Sequence, residues 1–172
     1  MALYALGDKQ PTIHPLAFVH PDAVLIGDVT VGEYASVWPT AVLRADSNRI
    51  VVGARTSIQD GAIIHCTSEL PTLIGSDCTV GHNAHLEGCT VKDGALVGSG
   101  SLVLHNVVIE SHALVAAGAV CTGGLHVPEY ALAVGVPARI KEGAADQQTI
   151  EYSKATYLEN AKKYPDLMRR ID

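Results

Sequence analysis

The chain has 172 residues and a formal net charge of −6, and it is 48% hydrophobic but only 5% aromatic, with one Trp and one Phe. That apolar content excludes a disordered chain, and the acidic balance excludes broad electrostatic attraction to nucleic acid or anionic lipid. The length suits one domain with a small appendage, and no apolar run approaches the ~20 residues of a membrane span.

The opening segment, MALYALGDKQ, has no basic region leading into an apolar one, so no secretory signal is read there. The cysteines, Cys66, Cys78, Cys89 and Cys121, form no CxxC pair. Reduced thiols in a cytoplasmic protein are the expectation.

From Val19 the chain keeps a period of six: Val19, Leu25, Val31, Val37, Leu43. After a three-residue insertion the phase resumes at Val52, Ile58 and Ile64. After a longer one, around CTSELPT, it resumes at Ile74, Val80 and Leu86; one residue is then dropped and Val91, Val97, Val103, Ile109 and Val115 follow. Four residues after most of these the side chain is small: Ala23, Ala35, Ala41, Thr56, Ala62, Cys78, Ala84, Thr90, Ala95, Ser101, Ala113, Ala119. Glycine often follows the aliphatic directly, as at Gly32, Gly53, Gly75, Gly81 and Gly98. A helix of 3.6 residues per turn cannot gather such a set on one face. Short strands joined by tight corners can, so the pattern predicts an all-β core, a parallel β-helix with three strands per coil.

The repeat fades near Pro128 and AVGVPARIKE leads out of the coil. From Thr149 the spacing turns helical, with Ile150, Tyr157, Leu158, Ala161 and Tyr164 on one stripe. Asp146 or Thr149 is expected to cap this helix and Pro165 to stop it. The expected division is a coil over 1–140 and, over 145–172, a C-terminal helix lying on the coil or on a neighbouring subunit.

Three hexads per coil stack Leu43, Ile64 and Leu86. The residue after each points outward, which predicts a column Arg44–His65–Glu87 with neighbours ~4.8 Å apart. On the preceding face Asp60 stacks with His82, and Gln59 lies beside them. His65, His82 and His85 thus fall in two adjacent coils near Arg44 and Asp46, a metal-site pattern, whereas His14, His20 and His126 have no such company. Five extended residues, up to ~16 Å, separate His82 from position 87. Zinc donors lie about 2.0–2.2 Å from the ion, so a metal shared by His65, His82 and position 87 requires His82 from another subunit.

At these residues the sequence resembles the γ-class carbonic anhydrase family, through LIGDVTVGEYASVWPTAVLRAD, VGARTSIQDGAIIH and TVGHNAHLEGC, over about Ile13 to Ile140. The resemblance implies a left-handed β-helix, about residues 13–137, assembled as a homotrimer. It implies zinc, or iron or cobalt, bound between subunits, and hydration of carbon dioxide to bicarbonate by a metal-bound hydroxide. Carried over by position, His65 and His82 match two ligands, Arg44 and Asp46 the intersubunit ion pair, and Gln59 and Asp60 the catalytic polar pair beside the metal. The third ligand departs from the family's GHxxxxHG: here GHNAHLEG puts Glu87 at that place, with His85 two residues earlier, and either can replace it. His105 stands where relatives often carry Asp; it is read as a solvated corner residue in preference to a proton relay. Ala131 and Ala133 stand where aromatics are frequent, with Tyr130 nearby. Cys66, next to His65, is read as packing. Two further readings are a hexapeptide acyltransferase, which shares the coil and the GVPARI turn, and a non-enzymatic metal-binding trimer.

Overall fold

The computed structural model describes residues 1–172 and is a parallel β-helix with one C-terminal helix. Most hexads form a two- or three-residue strand, while Val24–Val31 and Val42–Val52 are longer and each run through two faces. Three faces result. One holds Phe18–Val19, Ser36–Val37, Ser57–Ile58, Thr79–Val80, Leu96–Val97, Leu114–Val115 and Leu132–Val134. The second stacks the first halves of Val24–Val31 and Val42–Val52 with Ile63–His65, His85–Glu87, Leu102–Val103 and Val120–Cys121. The third continues from the second halves of those long strands to Thr72–Ile74, Thr90–Val91, Val108–Ile109 and His126–Val127. The pairing is parallel except for an isolated antiparallel bridge between Leu6 and Lys9 and for Arg139–Lys141, which folds back antiparallel on Leu132–Val134 at the exit turn. The coil begins before the periodicity does: Ala2–Tyr4 already pairs with Val24–Ile26.

The core is the axial stack of the hexad aliphatics with the small corner residues between them, a single cluster of 36 buried side chains. Leu43, Ile64 and Leu86 are fully buried in successive coils. The small residues are also inside, with one correction. Thr90 is half-buried, and Cys89, 2% exposed, takes the corner place. The dropped residue moves the corner to two positions before Val91. Gly53 shows why this position is glycine: a Cβ there would come within 2.4 Å of the Gly75 carbonyl carbon in the next coil.

All four cysteines are free and buried. Burial pushes the thiols of Cys78 and Cys89 up to about 12 and that of Cys121 to about 11, so they are inert packing groups. Ala131 and Ala133 are likewise in the core, and Tyr130 stacks on His112 at 5.3 Å.

The helix runs from Gln147 to Leu167. Asp146 caps it, accepting the Gln148 N–H at 3.0 Å and the Thr149 hydroxyl at 2.7 Å. Pro165 does not stop it as the sequence suggested, but sits inside the last turn, and the helix runs two residues further. The helix lies on the first face: Tyr157 and Tyr164 meet Trp38 edge-on at 5.5 and 4.9 Å, and Ala161 packs with Phe18 and Trp38. Trp38 is fixed beneath by its indole N–H, shared between the hydroxyls of Ser36 and Ser57 at 3.0 Å each. No helix is long and apolar enough to cross a membrane.

Candidate metal centre

The outward column exists in the expected register. Arg44 pairs with His65, and His65 with Glu87, as backbone neighbours on the second face. His65 Nδ1 lies 2.8 Å from Glu87 Oε1, and Nε2 lies 3.1 Å from Asp46 Oδ1. Both partners are carboxylates, which only accept, so the ring satisfies both only when each nitrogen carries a proton. To give a lone pair to a metal, the ring would have to exchange one of the two contacts. Asp46 also takes the guanidinium of Arg44, so the pair that the resemblance places between subunits is closed within one chain. Lys9 tethers the same bend by donating to the Asp46 and Ser47 carbonyls at 3.2 and 3.0 Å.

Glu87 is the hub. Its Oε2 faces His85 Nε2 at 3.5 Å and His105 Nε2 at 3.6 Å, while Oε1 holds His65. Burial pushes its carboxyl up, but the hydrogen bond from His65 and the charges of His65 and His105, with a smaller contribution from His85, hold it below the ordinary range. Asp46 is treated the same way: burial raises it, and His65 and Arg44 outweigh that. His105 is 49% exposed in the turn after Leu102–Val103, the solvated corner that its sequence position suggested, and from there its ring also faces Glu87. Gly88 lets it do so, since a Cβ there would lie 3.2 Å from the His105 ring, and its φ of +61° suits glycine. His85 is in register with Ile63 and Leu102, 40% and 38% exposed, so the site borders an apolar strip on the same face.

His82 lies at a different corner, in the turn after Thr79–Val80. Asp60 Oδ2 is 2.9 Å from its Nδ1, and the Tyr157 hydroxyl is 3.0 Å from its Nε2. The resemblance implies a place for Asp60 beside the metal's solvent; in the chain its carboxylate contacts the His82 ring. Burial pushes the Tyr157 phenol up, with the Asp60 charge and Tyr164 acting the same way, so its O–H remains a donor. Tyr157 was legible only as one residue of an apolar helical stripe. Gln59 is 4% exposed next to Asp60. Cys66 is buried behind His65 and its Sγ accepts the Asn48 N–H at 3.4 Å.

No three His, Cys, Asp or Glu side chains of one chain are arranged to hold a metal ion. The donors nonetheless suit one. Imidazole nitrogens and a carboxylate kept ionised by its neighbours are the donors that zinc accepts. They stand in two separate places, His65 with Glu87 and His85 on one face, and His82 at another corner.

No family model matches the chain. It is 40% identical over 166 residues to γ carbonic anhydrase 2, mitochondrial, of Arabidopsis thaliana, covering 93% of this chain but 58% of that protein's length. It is 38% identical over 170 residues to the carnitine operon protein CaiE of Escherichia coli, covering 99% of this chain and 84% of CaiE. A crystal structure of a hexapeptide transferase family protein from Anaplasma phagocytophilum superposes with a TM-score of 0.90 at 33% identity, covering 95% of this chain and 98% of that one.

Proposed function

The chain belongs to the hexapeptide-repeat left-handed β-helix family that contains γ carbonic anhydrase 2 and CaiE, and we propose that it is a metal-dependent lyase that hydrates carbon dioxide to bicarbonate at the contact between subunits of a homotrimer. The observation that carries this reading is the 2.8 Å His65–Glu87 contact between two side chains in direct register, with His82 set apart at another corner. A fold shared with transferases carries no reaction by itself, so the site decides.

The metal would be held by His65 and Glu87 of one chain and His82 of the next. When bound, zinc, iron or cobalt supplies Lewis-acid activation of water near neutral pH. Glu87 is preferred to His85 as third donor because it stacks directly on His65, whereas His85 is in register with Ile63 and reaches Glu87 from the side. The Asp60 carboxylate, 2.9 Å from His82 Nδ1, would favour the proton on that nitrogen and so leave Nε2 as the donor atom. Gln59, buried beside it, would orient the reacting oxygen or carbon dioxide through its amide. Arg44 holds Asp46, and through it the Nε2 side of His65. The exposed Ile63 and Leu102 flanking His85 give this face the apolar surface that a subunit contact buries.

Zinc content and stopped-flow carbon dioxide hydration, measured on the assembled protein and on His65→Ala, test the reading. Zinc and hydration are both expected, and both are expected to vanish in the variant. Bound zinc with no hydration at any pH would favour a non-enzymatic metal-binding trimer. Tight acyl-CoA binding without metal would favour a transferase.

A further inference from the structure

The two contacts of the His82 ring, a carboxylate on one nitrogen and a phenol on the other, bear on more than its position. Asp60 Oδ2 lies 2.9 Å from Nδ1, and a carboxylate only accepts, so its charge favours the proton of a neutral ring at Nδ1. Nε2 then holds a free lone pair, and the only group the chain sets against it is the Tyr157 hydroxyl at 3.0 Å, an O–H donor. Tyr157 reaches His82 across 75 residues of sequence from the C-terminal helix. Its ring is held against Trp38 at 5.5 Å, and Trp38 is pinned by two serine hydroxyls. The phenol is thus aimed by a buried aromatic cluster at one nitrogen, the same nitrogen the proposed centre requires as a donor.

We propose that Tyr157 is a positioning residue that acts as a placeholder. In the metal-free subunit its O–H occupies the lone pair of His82 Nε2, keeps the ring in the Nδ1–H tautomer and aims it outward. Metal binding must displace this hydrogen bond. The proposal rests on His82 being a ligand. A phenol suits the task because it is neutral and donates one proton, so it holds the nitrogen more weakly than a charged partner would. The C-terminal helix thereby gains a role beyond covering the first face, since it carries the group that reserves a ligand atom until metal arrives.

The test uses the assembled, metal-free protein, zinc alone as probe, and the variants Tyr157→Phe and His82→Ala. Phe keeps the ring packing on Trp38 and removes only the hydroxyl. Zinc affinity is read by competition with a chromogenic chelator, and the His82 imidazole by nitrogen-15 NMR of the metal-free state. In Tyr157→Phe the Nε2 resonance should move toward that of an unbonded acceptor nitrogen while Nδ1 remains protonated. Zinc affinity should rise by about 2–10-fold, the factor one neutral hydrogen bond corresponds to. Unchanged or weaker zinc binding in Tyr157→Phe, with His82→Ala losing most of its affinity, would overturn the placeholder while sparing the centre. Unchanged zinc binding in His82→Ala would overturn the proposed centre itself, and the placeholder with it.

Discussion

Replacing Glu87 by Gln keeps the side chain's volume and removes its charge. In the native chain Oε1 is 2.8 Å from His65 Nδ1, and Oε2 faces His85 and His105 at 3.5 and 3.6 Å. Only the first is a close hydrogen bond. A bond to a charged group contributes about 1.5–3 kcal/mol when desolvated. The Glu87 side chain is 23% exposed, so screening brings the cost to the metal-free fold down to about 1 kcal/mol. The effect on metal should be far larger. Loss of a group that only orients a ligand costs about 10–100-fold in affinity, so loss of a ligand should exceed 100-fold. His85→Ala, which removes a neighbour of that ligand, should stay within the smaller range. The assays are zinc competition titration and urea unfolding of the metal-free protein. If Glu87→Gln binds zinc within about threefold of wild type, or if His85→Ala loses more than Glu87→Gln does, the third donor is not Glu87 and the register argument for it is refuted.

Leu86→Ala opens a cavity in the axial stack directly beneath the strand carrying His85 and Glu87, and should cost about 2–5 kcal/mol in urea unfolding, whereas Leu16→Ala, at a site 51% exposed, should cost less than about 1 kcal/mol. Equal costs would mean that the coil interior is not packed as described. Arg44 is 46% exposed in the single chain, so Arg44→Ala should change the stability of the isolated fold by no more than about 1 kcal/mol. Should assembly desolvate the pair, the variant dissociates at concentrations where the wild type sediments intact; unchanged assembly would leave the pair in solvent. Glu87 and Asp46 are both held below their ordinary values of 4.5 and 3.8, so the unfolded chain binds more protons than the native one in acid. Their contribution is fully present above those values and is lost as pH falls through the lowered ones, and Glu87→Gln should flatten that acid limb in chemical denaturation.

The coil was readable because its physics is periodic: one aliphatic in six must fill the axis, and one small residue in six must fit the corner. The register column Arg44–His65–Glu87 followed from counting hexads, and so did the stacking of Asp60 with His82. Local irregularities escaped the count. The dropped residue before Val91 moved the corner from Thr90 to Cys89, and Pro165 was accommodated in a helix already ending. The site's outer partners were harder to find. His105 gave no signal beyond its position, and it is the glycine at 88 that lets it approach Glu87. Tyr157 lies on an apolar stripe where packing on Trp38 explains it fully, and its hydroxyl finds His82 only because the helix docks on the first face. Contacts between distant segments that share no period leave no trace in spacing.

The central claim is that one metal is held by His65 of one subunit and His82 of another. Mixing His65→Ala chains with His82→Ala chains, by unfolding and refolding them together, tests it most directly. Each variant alone should bind almost no zinc. In any mixed trimer one contact joins an intact His65 to an intact His82, so the mixture should regain up to one zinc and one active site per mixed trimer. A mixture in which chains demonstrably exchange but neither zinc nor hydration returns would contradict a centre shared between subunits.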